Sequence, residues 1–141
     1  MHNRRYWQRV PVLGLGVGAH STDPPSPLHP YGRRQANPRE RLVWSRPLRA
    51  GRHPGIEIES LSLEQAISEA AFLSLRTAEG LDAMTFAAEF GHAPRHFFGS
   101  TIDRLVLESL LEERAEGRLV LTERGRRLAD LVAADFILSG D

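Results

Sequence analysis

Seven of the nine prolines in this chain, Pro24, Pro25, Pro27, Pro30, Pro38, Pro47 and Pro54, fall within residues 23–60. Proline has no amide hydrogen to give a helix or sheet ladder, and its ring clashes with the preceding turn of a helix. A stretch so rich in proline reads as a break, so the chain is cut into three zones: 1–22, 23–60 and 61–138. The middle zone reads as a linker with room for one short helix. Asn37 suits its cap, Pro38 the first helical position and Glu40 the acidic place of a capping box. Leu42 and Val43 give that helix a small apolar side, and Pro47 is expected to end or kink it.

The zone from residue 61 to residue 138 has the periodicity of packed helices. Ser62 and Gln65 make a capping box ahead of Ile67, Ala70, Ala71 and Leu75 at helical spacing. Asp82 is placed to cap a second helix bearing Phe86 and Phe90, which Gly91 ends. A third helix is expected after Ser100, with Ile102, Leu105, Val106 and Leu110 on one face. A hairpin follows, with arms Leu111–Arg114 and Arg118–Leu121 and a turn at Ala115–Gly117. Thr122 then caps a last helix carrying Leu128, Leu131, Val132 and Phe136. Three helices, a hairpin wing and a closing helix predict a winged-helix-like domain, in an α+β chain that is mostly α.

The first zone holds the run VPVLGLGVGAHS, residues 10–21. Three glycines inside a helix would cost about 1 kcal/mol each, so a buried strand is the better expectation. Gly14, Gly16 and Gly18 at period two would leave one strand face bare, open to another backbone or to a flat ligand. A dinucleotide fingerprint is excluded: Ala19 stands where its third glycine belongs, and prolines follow in place of a helix. His20 closes the run at a strand edge, a usual place for ligands.

The chain has 141 residues, 18 arginines, no lysine, 18 acidic residues and no cysteine. The missing cysteines exclude disulfides, thiolate metal sites and a cysteine-held iron–sulfur cluster within these residues. No signal-peptide core and no apolar run long enough for a bilayer is present, so no membrane span and a cytoplasmic location are expected. Balanced charge argues against a dedicated nucleic-acid binder. The third helix presents Asp103, Arg104, Glu108 and Glu112, a face that phosphates would repel, and the only basic cluster is Arg118, Arg124, Arg126 and Arg127 near the wing. His92 and His96 have helical metal-pair spacing, but Gly91 and Pro94 interrupt the helix and no carboxylate completes a set. No nucleophilic triad and no phosphate loop is present.

The opening residues MHNRRYW are unusual for a terminus. The imidazole of His2 is a standard haem-iron ligand, Asn3 could orient it, and Tyr6 and Trp7 could pack on a porphyrin plane. On spacing alone, a strand-entry segment whose aromatics anchor a core edge is the better explanation.

HNRRYW matches the H-N-x-x-Y-W motif of HemW-type haem chaperones, relatives of the oxygen-independent coproporphyrinogen III oxidases in the radical S-adenosylmethionine superfamily. VLGLGVGAHS resembles that family's Y-L-G-L-G-x-G-A-H-S strand, late in its barrel. EAAFLSLRTAEGLDAMTFAAEFG and GRLVLTERGRRLADLV resemble two later family stretches, in the family's order. The resemblance implies haem as cofactor, with His2 as iron ligand and Asn3, Tyr6 and Trp7 around it, and it puts Gly14, Gly16, Gly18 and His20 near the cofactor cavity. It also implies a C-terminal winged-helix-like domain that covers the barrel and does not read DNA, and a haem-accepting protein as partner. The C-x-x-x-C-x-x-C motif for the iron–sulfur cluster is absent, as is most of the barrel that binds S-adenosylmethionine, so neither cofactor is expected on this chain. The expectation is a chain corresponding to the last third of such a protein, starting at an internal methionine or a broken frame. Residues 1–60 are then expected to be poorly ordered unless a separate chain supplies the barrel half. A piece of a coproporphyrinogen III dehydrogenase is the first alternative; a winged-helix module for nucleic acid or protein is the second.

Overall fold

The computed structural model describes residues 10–138. The chain divides between Leu63 and Glu64 into two compact units. The first is built on a three-stranded antiparallel sheet of β1 (His20–Asp23), β2 (Arg33–Ala36) and β3 (Glu57–Ser60), in that order. Helix α1 (Arg41–Arg49) lies in the connection from β2 to β3. Ser21 is opposite Gln35, and Arg34 is opposite both Thr22 and Glu59.

This corrects two expectations. The proline-rich stretch is not a bare linker. Pro24, Pro25, Pro27 and Pro30 all lie in the β1–β2 connection, where no ladder N–H is lost. Besides the expected short helix, the stretch carries the strands β2 and β3. The glycine run, for its part, is not a strand. Its last two residues, His20 and Ser21, open β1; ahead of them only Val12 pairs, through two bonds with Thr22 of 3.1 and 2.9 Å. Gly16 and Gly18 have φ of +107° and +64°, which bend the backbone out of an extended path. Leu13 and Leu15 are 77 % and 84 % exposed, so the run is not buried either. No closed barrel is formed among the described residues.

Helix α1 also departs from expectation. Its N-cap is Glu40, with no side-chain cap hydrogen bond, and Pro47 sits inside it. The proline removes one bond near the end of a short helix, and two further residues complete it before Ala50. None of its side chains is buried.

The second unit comprises α2 (Leu63–Leu75), α3 (Ala83–Phe90), α4 (Pro94–Leu107), the hairpin β4 (Leu111–Glu113) and β5 (Leu119–Leu121), α5 (Glu123–Arg127) and α6 (Ala129–Ala134). Its caps are local and follow the residue types. The Asp82 carboxylate accepts from the Thr85 N–H at 2.7 Å, Gly91 ends α3 with φ +80°, and the Thr122 hydroxyl accepts from the Gly125 N–H at 2.9 Å. Helix α4 starts at Pro94 rather than after Ser100, because proline at the first helical position needs no N–H partner. It kinks at Phe98, whose φ of −126° lets the ring turn into the core. The closing helix is two pieces separated at Leu128, with φ −114°. Leu81 adds a third short pairing to the hairpin through mutual bonds with Leu119 of 2.8 and 2.9 Å.

Apart from Pro54 and the glycines, every buried apolar residue among those described lies between Ala66 and Phe136. Ile67, Ala71 and Leu75 of α2 share this core with Phe86, Ile102, Leu105, Leu111, Leu119 and Val132. Phe98 and Phe136 meet there with ring centroids 5.0 Å apart, and burying a side chain of that size contributes about 2–3 kcal/mol. At Gly125 an added Cβ would stand 1.9 Å from the Leu110 carbonyl oxygen, so only glycine lets α5 approach the start of the hairpin. The fold is thus mixed α/β, mostly helical, with two small antiparallel sheets.

Candidate functional site

His2, Asn3, Tyr6 and Trp7, the residues expected to hold haem, lie outside the described residues. Gly14, Gly16, Gly18 and His20 lie within them, and they form one polar constellation. The glycine run folds back along β1 and is clamped there. The Asn37 amide nitrogen donates to the carbonyl oxygens of Gly16 and Gly14, at 2.8 and 3.3 Å. The Gly14 N–H donates to the Ser21 hydroxyl at 3.0 Å, the Gly18 N–H to the Pro38 carbonyl at 2.9 Å, and the Asn37 N–H to the Ala19 carbonyl at 2.9 Å.

Each glycine answers a separate need. A Cβ on Gly14 would lie 2.3 Å from the His20 carbonyl oxygen, a clash with backbone that cannot move away. Gly16 and Gly18 are required by their positive φ, although a Cβ would meet nothing closer than 3.7 Å at either. The period-two pattern therefore reflects backbone geometry. The His20 side chain is exposed on β1. Ser21, one of two buried polar residues among those described, and Asn37 are the positions that sequence reasoning missed. Asn37 had an adequate local role as a cap, and the carbonyls it binds are more than twenty residues away in the chain.

Ion pairs occupy the outward residues of α4 and the hairpin. Arg95 bridges Asp103 and Glu113 at 2.8 and 2.6 Å; its hydrogen bonds hold Glu113 below the usual carboxylate range. Arg104 pairs with Asp135 at 2.8 Å and with Glu108, which keeps its guanidinium more firmly charged. Asp82 is depressed first by its cap hydrogen bonds from Thr85 and then by Arg118, with which it pairs at 2.5 Å. The cations near the hairpin are therefore partnered: Arg118 by Asp82, Arg127 by Glu123, and Arg124 and Arg126 by the carbonyls of Glu108 and Leu121. His92 and His96 come together after all, their rings stacked with centroids 4.1 Å apart and the Phe97 edge against them. No group of three or more potential metal ligands occurs among the described residues. No described helix is long and apolar enough to cross a membrane.

Residues 61–128 match the HemN C-terminal domain family. The fold of the chain is similar to that of the coproporphyrinogen III oxidase HemN from Escherichia coli, described as a radical SAM enzyme. The TM-score is 0.67 at 18 % identity, over 91 % of this chain and 28 % of that one. The chain thus spans little more than a quarter of that structure's length. No curated protein matches it in sequence. An iron–sulfur cluster held by cysteines does not fit these residues, since the chain has no cysteine.

Proposed function

We propose that this chain handles haem in the manner of a HemW-like haem chaperone, with His2 as the iron ligand. The support is one co-occurrence: a chain carrying a HemN C-terminal domain also carries H-N-x-x-Y-W, ahead of the loop that Asn37 and Ser21 clamp. Haem would bring the iron that an imidazole binds. Asn3 would orient the His2 ring, Tyr6 and Trp7 would cover the porphyrin plane, and the Gly14–His20 loop would lie beside it. The second unit is in this reading a winged-helix-like accessory domain, and a haem-accepting protein is the partner. Radical chemistry would require the cluster-bearing barrel half from a separate chain.

Haem titration of the purified chain tests the proposal. A saturable Soret shift that weakens in His2→Ala is the expected result; identical responses of parent and variant would refute it. A second reading, part of a coproporphyrinogen III oxidase, is favoured by the structural relative. It predicts no haem response through His2, and activity only when a cysteine-bearing barrel chain is added.

A further inference from the structure

Helix α1 carries a cleft that the glycine loop closes on one side. It has a volume of about 400 Å³ and is lined by Val17 of the loop and by Arg41, Trp44, Ser45, Leu48 and Arg49 of the helix. A cleft of that size is within the range of small-molecule sites. The helical positions fall into two ridges. Arg41, Ser45 and Arg49 are four residues apart and form a polar ridge; Trp44 and Leu48 form an apolar ridge beside it, facing Val17. Neither Arg41 nor Arg49 has an acidic partner among the described residues, whereas the arginines of the second unit named above are paired or bound to carbonyls. Two arginines without acidic partners among the described residues, their backbone positions about 12 Å apart along the axis, beside an indole and two aliphatic side chains, make an amphipathic receptor.

We propose that this cleft binds a flat apolar molecule bearing two carboxylates on one edge, the body lying on Trp44, Leu48 and Val17 and the carboxylates on Arg41 and Arg49. Guanidinium forks suit carboxylates, and the indole face suits an aromatic body. The ligand class rests on the tetrapyrrole reading above, but the recognition does not use iron and does not use His2. A curved bilayer surface, the other common partner of a basic amphipathic helix, fits less well, because the apolar ridge lies in a concavity under Val17.

The test uses metal-free protoporphyrin IX and its dimethyl ester on the full chain. The chain has two tryptophans, and the share of the quenching due to Trp44 is read as the part lost in Trp44→Phe. Protoporphyrin is expected to quench Trp44 saturably. Arg41→Gln and Arg49→Gln should each weaken it about tenfold, the loss expected when a charge-assisted hydrogen bond is removed. The ester should bind about as weakly as the double variant. Circular dichroism checks that these exposed substitutions leave the fold intact. Equal binding by parent and double variant, equal binding by acid and ester, or no quenching in the parent would each overturn the proposal. So would a Trp44 response to phosphatidylserine vesicles that depends on the same arginines and outcompetes the porphyrin. His2→Ala should leave protoporphyrin binding unchanged: if haem binding does not depend on His2 but the quenching survives, the chaperone reading fails and the cleft stands.

Discussion

Replacing Asn37 by aspartate separates two roles that its position allows. If Asn37 capped α1, aspartate would serve as well, because the two are equivalent as caps. As a clamp it must donate: its amide nitrogen serves the Gly16 oxygen at 2.8 Å and the Gly14 oxygen at 3.3 Å. Asn37→Ala removes one good and one long hydrogen bond, at about 1 kcal/mol for a good one, a total of about 1.5 kcal/mol. Asn37→Asp sets an acceptor against two carbonyl acceptors in a half-buried place, and its cost rises to about 3 kcal/mol. Amide hydrogen exchange reads this locally. The Gly14 and Gly18 N–H groups, held by Ser21 and Pro38, report whether the loop is closed. At about 1.4 kcal/mol per factor of ten, exchange should speed up about tenfold in Asn37→Ala and about a hundredfold in Asn37→Asp. An aspartate variant exchanging at the parent's rate would refute the clamp.

Other consequences follow from the second unit. Gly125→Ala drives a Cβ into the Leu110 carbonyl and should lower the thermal stability of that unit by about 3 kcal/mol or more; a change under about 1 kcal/mol would contradict the packing described. Asp82→Ala and Thr122→Ala should each cost about 1 kcal/mol in urea unfolding, and Asp82→Asn less than Asp82→Ala, since it keeps the cap and loses only Arg118. Glu113, depressed by Arg95, contributes stability that is fully present above the ordinary carboxylate pKa of about 4.3 and is lost as pH falls through the lower folded value. The stability difference between parent and Arg95→Gln should therefore shrink as pH is lowered from 6 to about 2.5. The pair is partly exposed, so the difference at neutral pH should stay below about 1 kcal/mol. A difference that grows on acidification would reverse the assignment.

What was legible in the sequence was what is decided locally. Asp82, Gly91 and Thr122 each act within four residues, and the hairpin lies where its two short arms predict, although Leu119, Val120 and Leu121 are all buried and do not alternate. Ile67, Ala71 and Leu75 recur at helical spacing because one face of α2 is buried. The misreadings share a cause: a residue type with two good local roles, settled by a distant contact. Gly14, Gly16 and Gly18 look like a strand because period two is the signature of a strand, but two of them have positive φ and the third abuts His20. Pro94 can end a helix or begin one, and here begins one. The cleft on α1 could not be read at all, since it exists only where Val17 comes back over the helix.

The account rests on His2 as an iron ligand, and chemical rescue tests that most directly. His2→Gly would be loaded with haem and its Soret band recorded before and after adding free imidazole. The account predicts a weakened, shifted band in the variant that imidazole restores to the parent's position. A variant with the parent's spectrum before any imidazole is added would contradict it.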